Sequence, residues 1–532
     1  MTRGAEQVVV VGAGPTGLTA ACELLRHGVR VRVLDKRDEP SGHSKALLLW
    51  PRTVEVLAQL GVEKEARGRA IPIGRFSYYS SGRPVARLDF DAETTPLCLP
   101  QRGTEDVLRE LLGRLGGRVE RGWTLQGLDQ RADAVELRLT DPEGADRTLT
   151  ADWVIGADGA HSTVRDALGV PFEGATYANA FMLADAHGGR HLARDEAHYF
   201  QSPGGVLVVV PLPDGRHRWF VNAPHGEETA TLPLLQRLVD ERGPGGVALE
   251  DPEWISTFRV HHRLAARMRQ GRCFLTGDAA HIHSPAGGQG LNTGLQDAHN
   301  LAWKLAGVIQ GRFGTPLLDT YERERHAVAR QVVRDTDIQT RAWLVSVPWK
   351  IRARDALLRG ADRTGMLRKY APVMAGRRVT YPAVLPPSVL PSRTLSRRRR
   401  TRSGIGTVFP DHLLPASLRI PRPQGPDATP QPYHLVTVGR EASGALHEKA
   451  ARTAARWSPV LTHIRLTGEA SALPRGDAGF YLVRPDGYIA FHGHSGDLVA
   501  LDDVLAGLSV RRPPAPAPAD AFGKGLGHAH TR

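Results

Sequence analysis

The segment Gln7 to Arg37 constrains this chain more than any other. Four consecutive valines, Val8 to Val11, read as a buried strand and run into the turn Gly12-Ala13-Gly14-Pro15-Thr16-Gly17. A helical stretch from Leu18 to His27 follows, closed by Gly28, and a second strand from Val29 to Leu34 ends at Asp35, 23 residues after Gly12. In a βαβ unit these glycines have distinct physical uses. Gly12 permits the tight turn, Gly14 lets a pyrophosphate approach the backbone at the helix N-terminus, and Gly17 allows helix and strand to pack closely. Asp35 is placed to accept from adenosine ribose hydroxyls. Three glycines in an ordinary turn would explain none of this spacing, so the segment reads as a dinucleotide site.

Other classes are excluded by composition. The 532 residues suggest two to four domains at roughly 150 residues each, and a hydrophobic content of 41% is too high for a disordered chain. Three scattered cysteines, Cys22, Cys98 and Cys273, make neither a disulfide framework nor a Cys-x-x-Cys knuckle, which fits a reducing, cytoplasmic setting. Met1 to Gln7 does not have the form of a secretion signal, and no apolar run approaches the roughly 20 residues that span a bilayer. A soluble protein with no membrane partner is expected. Lys and Arg outnumber Asp and Glu by 69 to 56, a net +13, but the arginines are dispersed. The one dense run, Arg397 to Arg400, lies in a Pro/Ser/Arg-rich stretch over 376–426 and reads as a solvated linker. Attraction of a nucleotide cofactor explains the charge more simply than nucleic-acid binding, which is not expected.

The pattern then changes along the chain. Residues 71–100 look extended around a Ser80-Ser81-Gly82 turn, 102–115 helical behind Thr104 as N-cap, and Trp153 to Ile155 a short strand ending at Gly156. From about 175 to 260 the alternation is that of an antiparallel sheet, with strands at Ala180–Ala186, His198–Gln201, Val206–Val210 and Arg218–Asn222. Arg272 to Leu275 returns to a buried strand and Leu291 to Ile309 is a long helix. The expected organisation is a discontinuous nucleotide domain (1–70, 101–174 and 270–375) interrupted by a β-sheet domain (71–100 and 175–269). A linker (376–426), a small α/β domain (427–510) and a disordered Pro/Ala-rich tail (511–532) follow. The fold class is α/β with α+β.

The second strand end carries the other informative stretch, Gly277-Asp278 followed by Ala279 to His283 and then Pro285-Ala286-Gly287-Gly288-Gln289-Gly290-Leu291-Asn292. Three glycines among four residues expose backbone N–H groups at the start of a helix, a place that favours negative charge. Asp278 is an acceptor suited to a polyol chain. A flavin has both a ribityl chain and an electron-rich ring edge, and NAD has neither. Only one Gly-x-Gly-x-x-Gly follows a strand, so no second site for a resident nicotinamide cofactor is expected, and no Gly-x-Ser-x-Gly suggests a hydrolase. His281 and His283 read as packing and hydrogen-bonding residues, with no metal site expected.

Taken together, Gly12-x-Gly14-x-x-Gly17, the segment Ala157-Asp158-Gly159-Ala160-His161-Ser162-Thr163-Val164-Arg165, and Gly277-Asp278 with Pro285 to Asn292 resemble the group A flavoprotein aromatic hydroxylases, the p-hydroxybenzoate hydroxylase family. The resemblance runs from about residue 5 to 340. Tyr481 to Tyr488 resembles the C-terminal domain of the longer members, among which the bacterial aromatic polyketide hydroxylases look most similar. It implies a Rossmann-like FAD domain, an inserted substrate sheet and a thioredoxin-like C-terminal domain. With no cysteine after Cys273 that last domain has no thiol chemistry, which leaves packing or a homodimer contact as its role. FAD is the implied cofactor, NADPH or NADH and O2 the co-substrates, and an aromatic small molecule the substrate.

Residue by residue, the resemblance implies that Gly12, Gly14, Gly17 and Asp35 hold the ADP half of FAD, with Arg37 and Gln101 near the pyrophosphate or ribityl. Asp158 lies in a segment that serves both FAD and NAD(P)H, supported by Arg165. Asp278 would bind the ribityl. Pro285, Gly287, Gly288, Gln289, Gly290, Leu291 and Asn292 would line the isoalloxazine, with Pro285, Gly287 and Gly288 surrounding the flavin C4a-hydroperoxide that hydroxylates the substrate. No side chain is expected to act as a catalytic group in its own right. Two departures stand out: Lys45 where the family commonly has arginine, which keeps the charge and loses the planar fork, and Trp50 where histidine often precedes the proline. Phe200, Trp219, Phe220, Tyr78 and Phe90 are candidates for an aromatic pocket wall, although core packing is the commoner role of each, and Arg83 and His198 are candidate substrate contacts. Alternatives left open by the residues are Baeyer–Villiger or multi-step oxidative rearrangement on the same fold, a flavin-fold scaffold without turnover, and a basic nucleic-acid binder.

Overall fold

Steric limits at a few glycines set the core of the nucleotide domain. Gly12 has φ +101°, and a Cβ there would lie 2.3 Å from the Ala157 carbonyl oxygen; a Cβ on Gly17 would lie 2.0 Å from that of Gly12. The strand Glu6–Val11 and the helix Pro15–Arg26 can therefore pack against the strand end at Gly156 only because these positions lack side chains. A third contact of this kind joins the two halves of the motif: a Cβ on Gly294 would lie 2.4 Å from Thr16 Oγ1, so the long helix Gly290–Ile309 lies directly on the first helix.

The computed structural model describes residues 6–42, 44–224, 226–227, 229–382, 384–386, 389, 404–410, 433–439, 444–467 and 479–510. The nucleotide domain is built on an eight-stranded sheet. Its main path runs Arg269–Gln270, Cys273–Leu275, Asp146–Gly156, Glu6–Val11, Val31–Asp35 and Val119–Arg121, parallel everywhere except at the first pair. Thr124–Gln130 and Val135–Thr140 extend it as antiparallel strands, which the sequence pattern did not single out. One expectation is corrected here. The helix after residue 100 spans Gln101–Arg114 with Pro100 as its N-cap, and Thr104 is buried inside it. The fixed φ of Pro100 starts the helix without a hydroxyl cap.

The second eight-stranded sheet has the order His281–Ile282, Glu250–Ala265, Phe172–His187, His217–Asn222, Gly205–Pro211, Glu196–Ser202, Arg75–Ser80, Arg83–Asp89. Glu196–Ser202 pairs in parallel with Arg75–Ser80, which joins the hairpin of Arg75–Ser80 and Arg83–Asp89 to the later strands. Alternation divides the residues between two faces. Phe76, Phe181, Tyr199 and Phe220 pack with Leu48, Trp50, Ala286 and Trp343 beside the nucleotide domain. Met182, Phe200, Trp219 and Val221 pack on the other side with the helix Leu232–Arg242.

The C-terminal strands form a four-stranded sheet in the order Leu461–Thr467, Tyr433–Gly439, Gly479–Val483, Ile489–Gly493, the first pair parallel and the others antiparallel, with helices Gly444–Arg456 and Leu498–Leu508. Their core is continuous with Trp303, Phe313 and Leu317 of the nucleotide domain. An enclosed ionic network joins the two. Arg484 donates to both oxygens of Glu324, at 2.6 and 2.9 Å, and from Nε to Asp486 Oδ1 at 2.9 Å. Lys304 Nζ reaches the same Glu324 at 2.9 Å, and Arg52 donates to the Asp486 carbonyl. The solvated-linker reading of 376–426 is corrected for its described residues. Tyr381 is buried, stacks on Tyr488 with centroids 4.0 Å apart and accepts from Arg325, while Leu385 and Phe409 are also buried. The run Arg397–Arg400 and the tail 511–532 lie outside the described residues. Among the described residues no helix is long and apolar enough to cross a membrane.

Burial pushes the carboxyls of Glu324, Asp486 and Asp297 up, but the cations beside them outweigh it and hold all three below their ordinary values. Their contribution to stability is complete above 4.5 for the glutamate and 3.8 for the aspartates, and is lost as pH falls through the lower folded-state values. The urea midpoint is therefore expected to stay flat near neutrality and to fall below about pH 4. Glu324→Gln, which leaves Arg484 and Lys304 without their shared carboxylate, is expected to cost about 3–5 kcal/mol in the same measurement at neutral pH.

Candidate FAD site

The cleft is lined by two helix N-termini and one free carboxylate. Gly14 precedes the first helix with φ −73° and ψ 180°, no side chain caps that helix, and a Cβ on Gly14 would meet nothing within 4 Å. The space over Gly14 is thus open, unlike that at Gly12 and Gly17. Asp35 is fixed by two backbone donors, Ala13 N at 2.7 Å and Arg37 N at 2.9 Å, which point its carboxylate at the turn. Gln101 donates to Glu105 at 2.9 Å, and Arg37 lies near enough to Glu105 to pull its carboxyl down against the larger effect of burial. Arg37 and Gln101 thereby meet around Glu105, a residue the sequence reading had not picked out.

Asp278 is open to the cleft and accepts no hydrogen bond from the described residues. Crowding by protein raises its carboxyl above the ordinary aspartate value, while His281 and Lys45 pull it down. Lys45 is itself exposed, so the segment after Ser44 brings a cation to the carboxylate without an ion pair. The strand end that carries Asp278 is held by Asp297, which the sequence reading also missed. Asp297 Oδ2 accepts from Gly277 N at 3.1 Å and lies 2.6 Å from His281 Nε2, and its Oδ1 accepts from Arg325 Nε at 2.6 Å. The only acid on the largely buried helix Gly290–Ile309 was the available signal.

Pro285 to Asn292 forms a tight loop against this strand end. Gly288 N donates to the Pro285 carbonyl at 3.0 Å, and Gly287 and Gly288 have φ +72° and +62°, backbone that favours glycine. No side chain caps the helix that starts at Gly290, so the first-turn amides of Gly290 and Leu291 are available to an acceptor. Gln289 and Asn292 turn their side-chain amides to the protein, which leaves only their backbone for the expected ring lining. Gln289 Nε2 donates to the carbonyls of Gly287 and Met374, at 3.2 and 3.3 Å. Asn292 is buried, donates to the Leu48 and Gly288 carbonyls at 2.8 and 2.7 Å and accepts from Trp50 N at 2.8 Å. Both side chains brace the loop from behind. Asp158 is likewise spent locally: it accepts from Ser162 Oγ at 2.5 Å and Val164 N at 3.1 Å, at the start of the helix Thr163–Ala167. Arg165 ties that segment to the second strand end through the Ala279 carbonyl, at 3.3 Å.

Of the aromatic candidates, Phe220, Tyr78 and Phe90 belong to the face beside the nucleotide domain, with Tyr199, Phe258 and Trp343, whereas Phe200 and Trp219 lie on the opposite face. His198 stacks with Phe200 there, and Arg83 is exposed on the edge strand, so neither reaches the shared interior.

A groove with open space at one helix N-terminus, free amides at another and an unpartnered carboxylate between them fits a dinucleotide that carries a polyol chain and an electron-rich ring. The family model for an FAD binding domain matches residues 5–336. The chain belongs to that family. It is 36% identical to 6-methylpretetramide 4-monooxygenase of Streptomyces rimosus, over 97% of this chain and 96% of the relative. The 12-dehydrotetracycline 5-monooxygenase/anhydrotetracycline 6-monooxygenase of Streptomyces rimosus subsp. rimosus is 38% identical over 62% of this chain and 69% of its own length. Among solved structures, the anhydrotetracycline hydroxylase OxyS from Streptomyces rimosus superposes with a TM-score of 0.75 at 30% identity, covering 95% of this chain and 99% of that one. CabE, an aromatic hydroxylase from angucycline biosynthesis, does so at 0.73 and 30%, covering 95% and 100%. The chain is an FAD-dependent monooxygenase of this family.

Two glycine substitutions separate folding from cofactor binding. Gly17→Ala drives a methyl into the Gly12 carbonyl and is expected to abolish the folded domain. Gly14→Ala clashes with nothing in the protein and occupies the space a pyrophosphate needs. It is expected to leave the melting temperature of the FAD-free protein unchanged while weakening FAD by roughly 10- to 100-fold, the effect of about 1–3 kcal/mol of overpacking. Titration of FAD fluorescence beside a thermal melt reads both.

Proposed function

We propose that this monooxygenase hydroxylates a polycyclic aromatic substrate of polyketide type, bound between the aromatic sheet face and the loop Pro285–Asn292. The carrying observation is the wall itself. Trp50, Phe76 and Phe90 meet edge to face with centroids 4.9 to 6.1 Å apart, Tyr199 continues the row to Trp343, and Phe181 stacks on Phe220 at 5.2 Å. Trp50, Phe76 and Phe181 are fully buried and back this face, while Phe90 and Phe258 keep part of their rings exposed, and aromatic surface of that kind suits a fused-ring ligand. The relatives named for 6-methylpretetramide and anhydrotetracycline support the substrate class.

FAD, when bound, supplies the electron transfer from NAD(P)H to dioxygen and the delivery of one oxygen atom. The balance is substrate, O2, NAD(P)H and a proton in, and hydroxylated substrate, NAD(P)+ and water out. In this reading Gly12, Gly14, Gly17 and Asp35 seat the ADP portion, Arg37 and Gln101 flank the middle of the cofactor, and Asp278 with Lys45 holds the ribityl. The amides of Gly290 and Leu291 would favour negative charge on a flavin ring held beside them. The apolar wall excludes water, so that electrons end in product rather than in hydrogen peroxide. The C-terminal unit is read as a thioredoxin-like fold from its connectivity, kept for docking and without thiol chemistry.

Charge supports a site for NAD(P)H. His161, Arg259, His261, His262 and Arg263 gather where the Gly159–Arg165 segment meets the paired strands Phe172–His187 and Glu250–Ala265. Burial lowers the pKa of His261, and Arg263, His161, Arg259 and His262 lower it further. An anionic pyrophosphate relieves that repulsion. Arg263→Ala is expected to raise the KM for the nicotinamide cofactor by about tenfold, the size of one charge-assisted hydrogen bond, with kcat nearly unchanged.

The function is tested by following NADPH oxidation under air with fused-ring phenols. Substrate-stimulated consumption and a product heavier by one oxygen support the reading; consumption that yields hydrogen peroxide alone with every fused-ring phenol overturns the substrate class.

A further inference from the structure

Trp50 has two polar attachments and two aromatic ones. Its backbone N–H donates to Asn292 Oδ1 at 2.8 Å and its indole Nε1–H to the Gly287 carbonyl at 2.9 Å, both within the loop Pro285–Asn292. The ring is fully buried and meets Phe76 and Phe90 edge-on, with centroids at 6.1 and 5.7 Å. Phe76 lies 5.3 Å from Tyr199, and Tyr199 5.9 Å from Trp343. One side chain thus has its N–H on the loop and its ring in the aromatic wall.

The loop needs such an anchor. Gly287 and Gly288 both have left-handed backbone, at φ +72° and +62°, and two adjacent glycines can reach other conformations at little steric cost. Because a peptide unit is planar, fixing the Gly287 carbonyl fixes the whole plane between these two residues. Gln289 also donates to this carbonyl, at 3.2 Å, and the Gly288 N–H of the same plane donates to the Pro285 carbonyl at 3.0 Å, but both partners belong to the loop they would have to restrain. The indole is the donor that comes from outside the loop.

We infer that Trp50 is a positioning residue that couples the substrate pocket to the flavin loop. The packing of its ring in the wall sets where the indole N–H stands, and the N–H sets the Gly287–Gly288 peptide. The inference rests on reading Pro285–Asn292 as the seat of the flavin ring and the Phe76–Tyr199 face as the pocket wall. A substrate that shifts the wall then acts on the Gly287–Gly288 peptide through Trp50, in addition to any contact of its own with the loop.

Trp50→Phe keeps a ring and removes the N–H. FAD is expected to bind near its wild-type affinity. Amide hydrogen exchange across 285–292 in the FAD-free protein is expected to quicken by roughly 3- to 10-fold, the equivalent of one ordinary hydrogen bond. Dihydroxyanthraquinone, used as probe, is expected to slow exchange in this loop in the wild type and not in the variant, and its stimulation of NADPH consumption is expected to shrink by a similar factor. Unchanged loop exchange together with unchanged stimulation in the variant overturns the coupling. Failure of the wild type itself to bind FAD overturns the site reading and the coupling with it, and is seen separately in the titration. If Trp50→Phe does not fold, Phe90→Leu keeps the N–H bond and removes one edge contact. Loop exchange that quickens, or that dihydroxyanthraquinone no longer slows, then supports the coupling, and wild-type loop exchange with wild-type slowing by the probe overturns it.

Discussion

Much of this structure depends on the single buried helix face that carries Glu324 and Arg325. Glu324 turns toward the C-terminal domain, where Arg484, Lys304 and Asn300 converge on it. Arg325, the next residue, turns toward Asp297, which holds the Gly277 amide at the strand end bearing Asp278. Charges so enclosed are costly unless every one is matched. Here Lys304 and Arg484 balance Glu324 and Asp486, and Arg325 balances Asp297. The network therefore contributes less as net stabilisation than as a constraint on register, because only one docking of the C-terminal domain satisfies all of its members. That docking is linked through one turn of helix to the geometry of the cofactor cleft.

The cofactor cleft and the wall beside it are built from different materials. The cleft is mostly backbone: a positive-φ glycine, two uncapped helix starts and a strand end, with Asp35, Asp278 and Lys45 added at its margins. The wall is side chain throughout. Backbone geometry tolerates little change, whereas aromatic side chains can be exchanged by volume. This division accounts for a shared FAD-binding frame among relatives whose names specify different substrates.

The same division explains what could be read from the sequence. The nucleotide motif was legible because its glycines answer to local sterics, which spacing alone reveals, and the separate β-rich region was legible from alternation. Which face of that sheet a residue joins was not. Tyr199 and Phe200 are neighbours, as are Trp219 and Phe220, yet each pair divides between opposite faces, and only the register of the assembled sheet decides which member meets the nucleotide domain. Asp297, Glu105 and Tyr381 were missed for a related reason. Their partners lie 16 or more residues away in the case of Asp297, on another turn of the same helix for Glu105, and in another domain for Tyr381. The side-chain partners of Asn292 and Gln289 were not legible, because proximity to a motif does not show which way an amide points.

The parallel pairing of Glu196–Ser202 with Arg75–Ser80 has a consequence for how such proteins diversify. The hairpin that completes the sheet is encoded inside the first third of the chain, between two parts of the nucleotide domain. A recombination that exchanges the region 172–265 between two relatives would carry over most strands of the pocket but leave behind the hairpin that supplies Phe76 and Tyr78. The wall would then be assembled from two ancestries along one parallel seam. New pockets in this architecture arise intact only when two separate stretches of the gene travel together, or when side chains change one at a time.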